Sequence, residues 1–215
     1  MEHPITGVYG ILPADLDTDT LLIKAEAALK GGLQTLQFRD KKSGYKRALK
    51  RALALRELTT CYHARFIIND SIQLAQASSA DGVHLGRDDV IDLAKIREDI
   101  GANMTIGITC RADAVFAKLA LEYGADYVSF GAVFGSQSKP DVATLGLPRL
   151  NKARQMFPDA SICAIGGITI DNIASVKHAG ATSAAIISGL FGSNDDIEGN
   201  IERRAGELIE IWNKA

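Results

Sequence analysis

The sequence predicts a (β/α)8 barrel of the α/β class, formed by a single domain over residues 1–215. Eight short apolar segments alternate with segments of helical periodicity, a pattern that indicates parallel strands joined by crossover helices. The strands are almost continuously apolar, as expected where a sheet is covered on both faces. Eight such units favour a closed barrel over an open sheet, and 215 residues leave room for few insertions.

The predicted strands are short and rich in Val, Ile, Leu and Ala. They cover residues 8–12, 33–39, 65–68, 82–85, 105–109, 127–131, 161–165 and 183–187. Helical patterns include 21–29, 115–121, 173–176 and the closing helix, 195–212, whose buried face is predicted to carry Ile201, Leu208, Ile209 and Trp212. Glycine-containing pairs at 31–32, 124–125 and 180–181 are typical of helix ends.

Composition and charge argue against several classes of protein. The net charge of −2 comes without a basic block, which argues against a nucleic-acid surface. Cys61, Cys110 and Cys163 are far apart and form no C-x-x-C pair, so we expect reduced thiols in a cytoplasmic protein. No signal peptide and no membrane-spanning apolar run is visible. The composition is compatible with a homo-oligomer.

Cationic side chains follow the second predicted strand. In an extended strand Gln37, Arg39 and Lys41 lie on one face, which points two cations and an amide at an anion. Active sites of barrels lie at this carboxyl end of the strands. Lys139, in the long connection 132–147, could join the two cations around a diphosphate. The alternative is an ordinary solvent-exposed loop lysine.

Glycine turns follow the last two predicted strands, where barrels commonly bind phosphate. Gly166 and Gly167 follow the seventh strand, and Ser188 and Gly189 follow the eighth. Glycines allow backbone N–H groups to approach a phosphate, and a helix start adds a favourable dipole. The alternative is two turns that need glycine only for positive φ.

Two carboxylates follow neighbouring strands and form a candidate magnesium site. Asp70 follows the third strand and Asp89 the fourth, and Mg²⁺ is typically held by one or two carboxylates and substrate phosphates. Asp70 and Asp88 or Asp89 could equally be helix N-caps. His84 alternates with apolar residues, which predicts a hydrogen-bonded interior residue and not a base.

Taken in order, these motifs resemble the thiamine-phosphate synthase family over nearly the whole chain. They are Gln37-x-Arg39-x-Lys41, Ile68-Asn69-Asp70, Gly82-Val83-His84-Leu85-Gly86-x-x-Asp89, Gly107-x-Thr109, Ser136-x-Ser138-Lys139, Ile165-Gly166-Gly167-Ile168 and Ile187-Ser188. The resemblance implies transfer of an aminopyrimidine methylene group from its diphosphate to a thiazole phosphate, with release of pyrophosphate. The partners it implies are these small-molecule substrates, and the cofactor is Mg²⁺, one ion per subunit.

The resemblance also implies roles for particular residues. It assigns the pyrimidine diphosphate to Gln37, Phe38, Arg39, Asp40, Lys41, Asn69, Thr109 and Lys139, with Arg39, Lys41 and Lys139 catalytic. It assigns the thiazole phosphate to Ser136, Gln137, Ser138, Gly167, Ile187 and Ser188, and the metal to Asp70 and Asp89. The chain departs from the family at Arg87, where Gln is usual, at Thr109, where Ser is usual, and at Ser136 and Ser138, where Thr is usual.

Two other functions remain as alternatives. A thiazole tautomerase would need the thiazole half of the site but not the second half with its carboxylates and cations, which this chain retains. A non-catalytic sensor of phosphorylated thiamine precursors would bind the same ligands without pyrophosphate release.

Overall fold

A computed structural model describes residues 5–87, 92–135, 144–193, 196 and 198–215. Eight parallel strands close into a barrel in sequence order, which confirms the predicted (β/α)8 TIM barrel. The strands are β1 Gly7–Ile11, β2 Thr35–Phe38, β3 Arg65–Asn69, β4 Gly82–Leu85, β5 Thr105–Arg111, β6 Tyr127–Gly131, β7 Ile162–Ile165 and β8 Ser183–Ile186.

The described helices alternate with the strands. They are α1 Thr18–Lys30, α2 Tyr45–Cys61, α3 Ile72–Ala77, α4 Leu93–Ile100, α5 Ala114–Glu122, α6 Leu147–Met156, α7 Ile173–His178, α8 Ser188–Phe191 and α9 Glu198–Lys214. The closing helix starts at Glu198, later than the predicted 195. None of the helices in the described ranges is long and apolar enough to cross a bilayer.

Side chains that alternate along the strands divide into two cores. Those that point inward form a small interior cluster, Ile5, Tyr9, Ile11, Ile67, Tyr127, Cys163 and Ala185. Those that point outward pack under the helices in a much larger cluster, which includes Leu36 and Phe38 of β2. The interior of an eight-stranded barrel is filled by such side chains, so polar groups there must find partners inside the protein.

The last helix closes the fold against the first. The buried face of α9 carries Ile201, Ala205, Leu208 and Trp212, and Ile209, which was also predicted on this face, is partly buried and packs against the core. Gly31, at the end of α1, makes this contact close, because a Cβ atom there would lie 2.3 Å from the carbonyl oxygen of Glu202. Gly206 on α9 is roomier, since its Cβ would have the carbonyl of Gly31 as nearest neighbour, at 3.8 Å.

These two glycines give opposite predictions for stability. Gly31→Ala should lower the free energy of unfolding by about 1–3 kcal/mol, because the helices must separate to admit the methyl group. Gly206→Ala should raise it by about 0.5–1 kcal/mol, because alanine is the better helix former. Urea unfolding of both variants measures the difference. A stable Gly31→Ala variant would contradict the close contact.

Candidate active site

Lys41 and Asp70 form an ion pair at the carboxyl end of the barrel. The Nζ atom of Lys41, after β2, lies 3.0 Å from Oδ2 of Asp70, after β3. Asp70 has a left-handed backbone, with φ of 65°, and its N–H donates to the carbonyl of His84 at 2.8 Å. The neighbouring strand therefore fixes the backbone of Asp70, and the structure brings together the cation and the carboxylate that the sequence placed at two strand ends.

The helix-capping alternative does not hold for Asp70. The N-cap of α3 is Ser71, whose side chain accepts from the N–H of Leu74 at 3.1 Å. The N-cap of α4 is Asp92, whose carboxylate accepts from the N–H of Ala94. Asp88 and Asp89 lie outside the described residues. The Asp70 carboxylate therefore caps no described helix, and the partner it has is the ammonium of Lys41.

The three residues after Gln37 differ in role: Arg39 is a cation at the strand end, whereas Phe38 and Asp40 are structural. The strand ends at Phe38, so the predicted alternation does not continue to Lys41. Arg39 is half-buried, and its guanidinium forms no hydrogen bond or ion pair with a described residue. Phe38 points into the outer core, where its ring lies 5.5 Å from the guanidinium carbon of Arg51. The side chain of Phe38 therefore lies on the outer face of the barrel, as strand alternation predicts.

The carboxylate of Asp40 has its partners within the protein. Its Oδ2 accepts from the buried guanidinium of Arg51 at 2.5 Å, and its Oδ1 accepts from the N–H groups of Lys42 and Ser43. Burial alone would raise the pKa of Asp40, but the backbone donors and Arg51 outweigh it and lower the pKa. Asp40 and Arg51 therefore hold the loop that presents Lys41.

A chain of hydrogen bonds crosses the barrel interior. Gln37 Nε2 donates to the hydroxyl of Tyr9 at 2.7 Å, and the hydroxyls of Tyr9 and Tyr127 lie 3.1 Å apart. The hydroxyl of Tyr127 lies 2.9 Å from Nδ1 of His84, and Nε2 of His84 lies 2.8 Å from the hydroxyl of Thr109. Burial lowers the pKa of His84 to about 4. The predicted interior role of His84 is confirmed.

The glycine turns after β7 and β8 leave backbone donors available. Gly167 has a φ of 65°, and a Cβ there would lie 2.4 Å from the carbonyl oxygen of Gly135, so the turn requires glycine. Within the described residues, the N–H groups of Gly167 and Ser188 have no hydrogen-bond partner. The side chain of Ser188 is exposed, whereas Ile187 packs against the interior cluster.

A buried lysine holds α8 from behind. Lys24 of α1 is 2 % exposed, and its Nζ donates to the carbonyls of Phe191, Ser193 and Asp196 at 3.3, 2.7 and 3.4 Å. Arg204 of α9 adds a bond to the carbonyl of Leu190 and an ion pair with Asp196. A helix of four residues has little stability of its own, so these two cations determine where the N–H of Ser188 points.

The remaining predicted site residues lie outside the described residues. They are Asp89, Ser136, Gln137, Ser138 and Lys139. The described ends of their connection are tied together, because the N–H of Leu145 donates to the carbonyl of Ala132 and the N–H of Val133 donates to the carbonyl of Ile165. The connection is therefore anchored at the end of β7. Within the described ranges, no group of three or more His, Cys, Asp or Glu side chains could hold a metal ion.

Arg87, where the family usually has Gln, directs its charge toward α5. Its guanidinium forms an ion pair with Asp113 at 2.8 Å and lies 4.7 Å from the ring centre of Phe116. Asp113 is also the N-cap of α5. The extra positive charge therefore has a partner within the protein.

Sequence reasoning missed Tyr9, Tyr127, Lys24 and Arg51. The sequence contained one indication of the two tyrosines. Each lies at an inward-facing position of an apolar strand and carries a hydroxyl group that needs a partner there. Lys24 and Arg51 lie in amphipathic helices, where a cation is usually exposed, and nothing in the local pattern marks them as buried.

The fold and the groups at the strand ends define a class of protein: a (β/α)8-barrel enzyme for phosphorylated small molecules. A family model described as thiamine monophosphate synthase matches residues 8–190. The thiamine-phosphate synthase of Methylobacillus flagellatus is 41% identical over 210 residues, 98% of this chain and 97% of that protein. That of Chromobacterium violaceum is 42% identical over 195 residues, 91% and 93% of the two chains.

A solved structure with a similar fold supports the same family. The thiamine phosphate pyrophosphorylase from Pyrococcus furiosus is 29% identical and superposes with a TM-score of 0.83, over 97% of this chain and 96% of that one. The chain belongs to the thiamine monophosphate synthase family.

The burial of His84 predicts a loss of stability in acid. The unfolded chain binds a proton below the usual pKa of 6.5, whereas the folded protein does so only near 4. The free energy of unfolding should therefore fall by about 3 kcal/mol between these values and level off below them. Urea unfolding at several pH values should show a shallower dependence in His84→Gln. Parallel curves for the two proteins would contradict the buried neutral state.

Proposed function

We propose that this protein is a thiamine-phosphate synthase. It joins the methylene group of 4-amino-2-methyl-5-hydroxymethylpyrimidine diphosphate to the ring nitrogen of hydroxyethylthiazole phosphate and releases pyrophosphate, a step of thiamine biosynthesis. The observation that carries this proposal is the ion pair of Lys41 and Asp70 at the strand ends, in a chain 41% identical to a thiamine-phosphate synthase over almost its full length.

The chemistry needs positive charge around a leaving group. The bond between the methylene carbon and the diphosphate oxygen breaks with its electron pair on pyrophosphate, and the thiazole nitrogen forms the new bond to carbon. Arg39, Lys41 and Lys139 stabilise the charge that develops on the diphosphate, and holding both substrates in register supplies the rest. No general base is needed, which fits the neutral, buried state of His84.

The two halves of the site hold the two substrates. Gln37, Thr109 and Asn69 line the pyrimidine half, and Phe38 and Asp40 act there through the loop that they hold. The N–H groups of Gly167 and Ser188 take the thiazole phosphate, together with Ile187, Ser136, Gln137 and Ser138. This division is supported by the positions of β2, β3 and β5 against those of β7 and β8.

One Mg²⁺ per subunit fits the donor set. Asp70 already holds a cation, the ammonium of Lys41, and two carboxylates with diphosphate oxygens make the mixed shell that Mg²⁺ prefers. Asp70 and Asp89 would hold the ion, which when bound supplies positive charge to the diphosphate. The three cysteines are free thiols, which supports a cytoplasmic location.

The decisive experiment measures pyrophosphate release with both substrates present and with each omitted. A synthase releases pyrophosphate and forms thiamine phosphate only when both are supplied. A tautomerase or a sensor would bind the thiazole phosphate and release none, and that result would contradict the proposal.

Asp70→Asn tests the proposed role of the Asp70 carboxylate. Asparagine tolerates the left-handed backbone at this position, so the fold should survive while kcat falls about 100-fold, the loss typical of one transition-state charge contact. The matched control is Asp15→Asn, which breaks a similar exposed ion pair, to Lys42. The control should keep full activity. Full activity in Asp70→Asn would remove this residue from the site.

Lys24→Met tests the support of α8. Releasing the carbonyls around Phe191 should displace the N–H of Ser188 and raise the KM for the thiazole phosphate about tenfold, the cost of one hydrogen bond to a charged group. The KM for the pyrimidine diphosphate should stay unchanged. Arg97→Met is the matched control, because Arg97 also donates to three backbone carbonyls but at the opposite end of the barrel. Equal rises in both KM values would contradict a local effect.

A further inference from the structure

The chain of hydrogen bonds inside the barrel has a direction. The Nε2 atom of the Gln37 amide can only donate, so the hydroxyl oxygen of Tyr9 accepts. The hydrogen of Tyr9 then has one acceptor among the described residues, the oxygen of Tyr127. The hydrogen of Tyr127 in turn goes to Nδ1 of His84. A buried donor without an acceptor is costly. This cost rules out arrangements in which one of the two hydroxyl groups donates in the opposite direction.

The tautomer of His84 follows from this direction. With Nδ1 accepting from Tyr127, the neutral ring carries its proton on Nε2 and donates to the hydroxyl oxygen of Thr109. The hydrogen of the Thr109 hydroxyl then has no acceptor within this network of hydrogen bonds. Thr109 lies half-buried at the carboxyl end of β5, where the pyrimidine half of the site begins.

The rings are packed so that the chain cannot rearrange easily. Tyr127 stacks on His84 with 5.5 Å between ring centres, and Tyr9 meets Tyr127 edge-on at 6.2 Å. Gly107 of β5 makes room for this packing, because a Cβ there would lie 2.0 Å from Cζ of Tyr127. Both tyrosines are 1 % exposed or less, so neither touches a substrate.

We propose that Tyr9 and Tyr127 are positioning residues that hold His84 in its Nε2-protonated form and so make the hydroxyl of Thr109 a hydrogen-bond donor to an acceptor atom of the pyrimidine diphosphate. The substrate contact rests on the proposed function. The direction of the chain does not, since it is a property of the free protein.

Nitrogen NMR of the histidine rings tests the direction. In the free protein, the one-bond coupling to hydrogen should appear at Nε2 of His84 and be absent at Nδ1. Tyr127→Phe keeps the ring but removes the donor to Nδ1, so the proton should distribute over both nitrogens. A proton on Nδ1 in the wild type would overturn the proposal, because the chain would then run the other way with the Gln37 amide turned over.

Kinetics test the consequence. Tyr127→Phe should raise the KM for the pyrimidine diphosphate about tenfold, the change expected from one misdirected hydrogen bond, and leave that for the thiazole phosphate unchanged. Tyr62→Phe is the control, because its hydroxyl bonds to Glu26 away from the barrel interior, and it should change neither value. Thr109→Val, which removes the hydroxyl, should raise the KM for the pyrimidine diphosphate as much as Tyr127→Phe does.

Two further outcomes separate the proposals. If Tyr127→Phe does not fold, Tyr9→Phe breaks the chain one bond earlier and should loosen the tautomer in the same way. An unchanged tautomer and KM in a folded Tyr→Phe variant would overturn the positioning role. A wild type without synthase activity would overturn the proposed function and the substrate contact of Thr109, while the NMR result would still decide the direction of the chain.

Discussion

The polar chain inside the barrel is the constraint on which the candidate site depends. An eight-stranded barrel has an interior that only side chains fill, and here five strands contribute polar groups to it. Each of these polar groups must form its hydrogen bonds within the protein, because a buried polar group without a partner is costly. The network that meets this demand also ends at Gln37 and Thr109, the two side chains at the mouth of the barrel. Folding and the proposed recognition of the substrate therefore depend on the same residues.

The rim of the site uses ion pairs in two different ways. Arg51 and Asp40 are almost fully buried, and breaking such a pair by removing one partner would cost about 3–5 kcal/mol. Lys41 and Asp70 are partly exposed, and a pair of this kind contributes about 0–1 kcal/mol. The buried pair therefore fixes the loop. Separating the exposed pair, as the proposed binding of a diphosphate and a metal ion requires, costs little.

The sequence predicted those features of the fold that depend on the local pattern of apolar residues and glycines. Continuous apolar strands and glycine helix ends predicted the barrel, and alternation correctly placed Gln37 inward and Phe38 outward. The tyrosine network could not be predicted, because it depends on how β1 and β6 face each other across the barrel, and Tyr9 and Tyr127 are 118 residues apart. The same holds for Lys24, whose acceptors lie 167 residues away or more. The family resemblance implied residues for ligand contact but none of the residues that hold those side chains in place.

The two proposed halves of the site have separate supports, which has a physical consequence. The proposed pyrimidine half rests on hydrogen bonds inside the barrel, whereas α8 rests on cations of α1 and α9 outside it. The two supports share no residue, and energies of groups without shared partners add. Substitutions can therefore change the affinity for one substrate without altering the affinity for the other. A transferase that must hold two different phosphorylated molecules in register benefits from this independence, because either pocket can be adjusted while the distance between the reacting atoms is kept by the barrel itself.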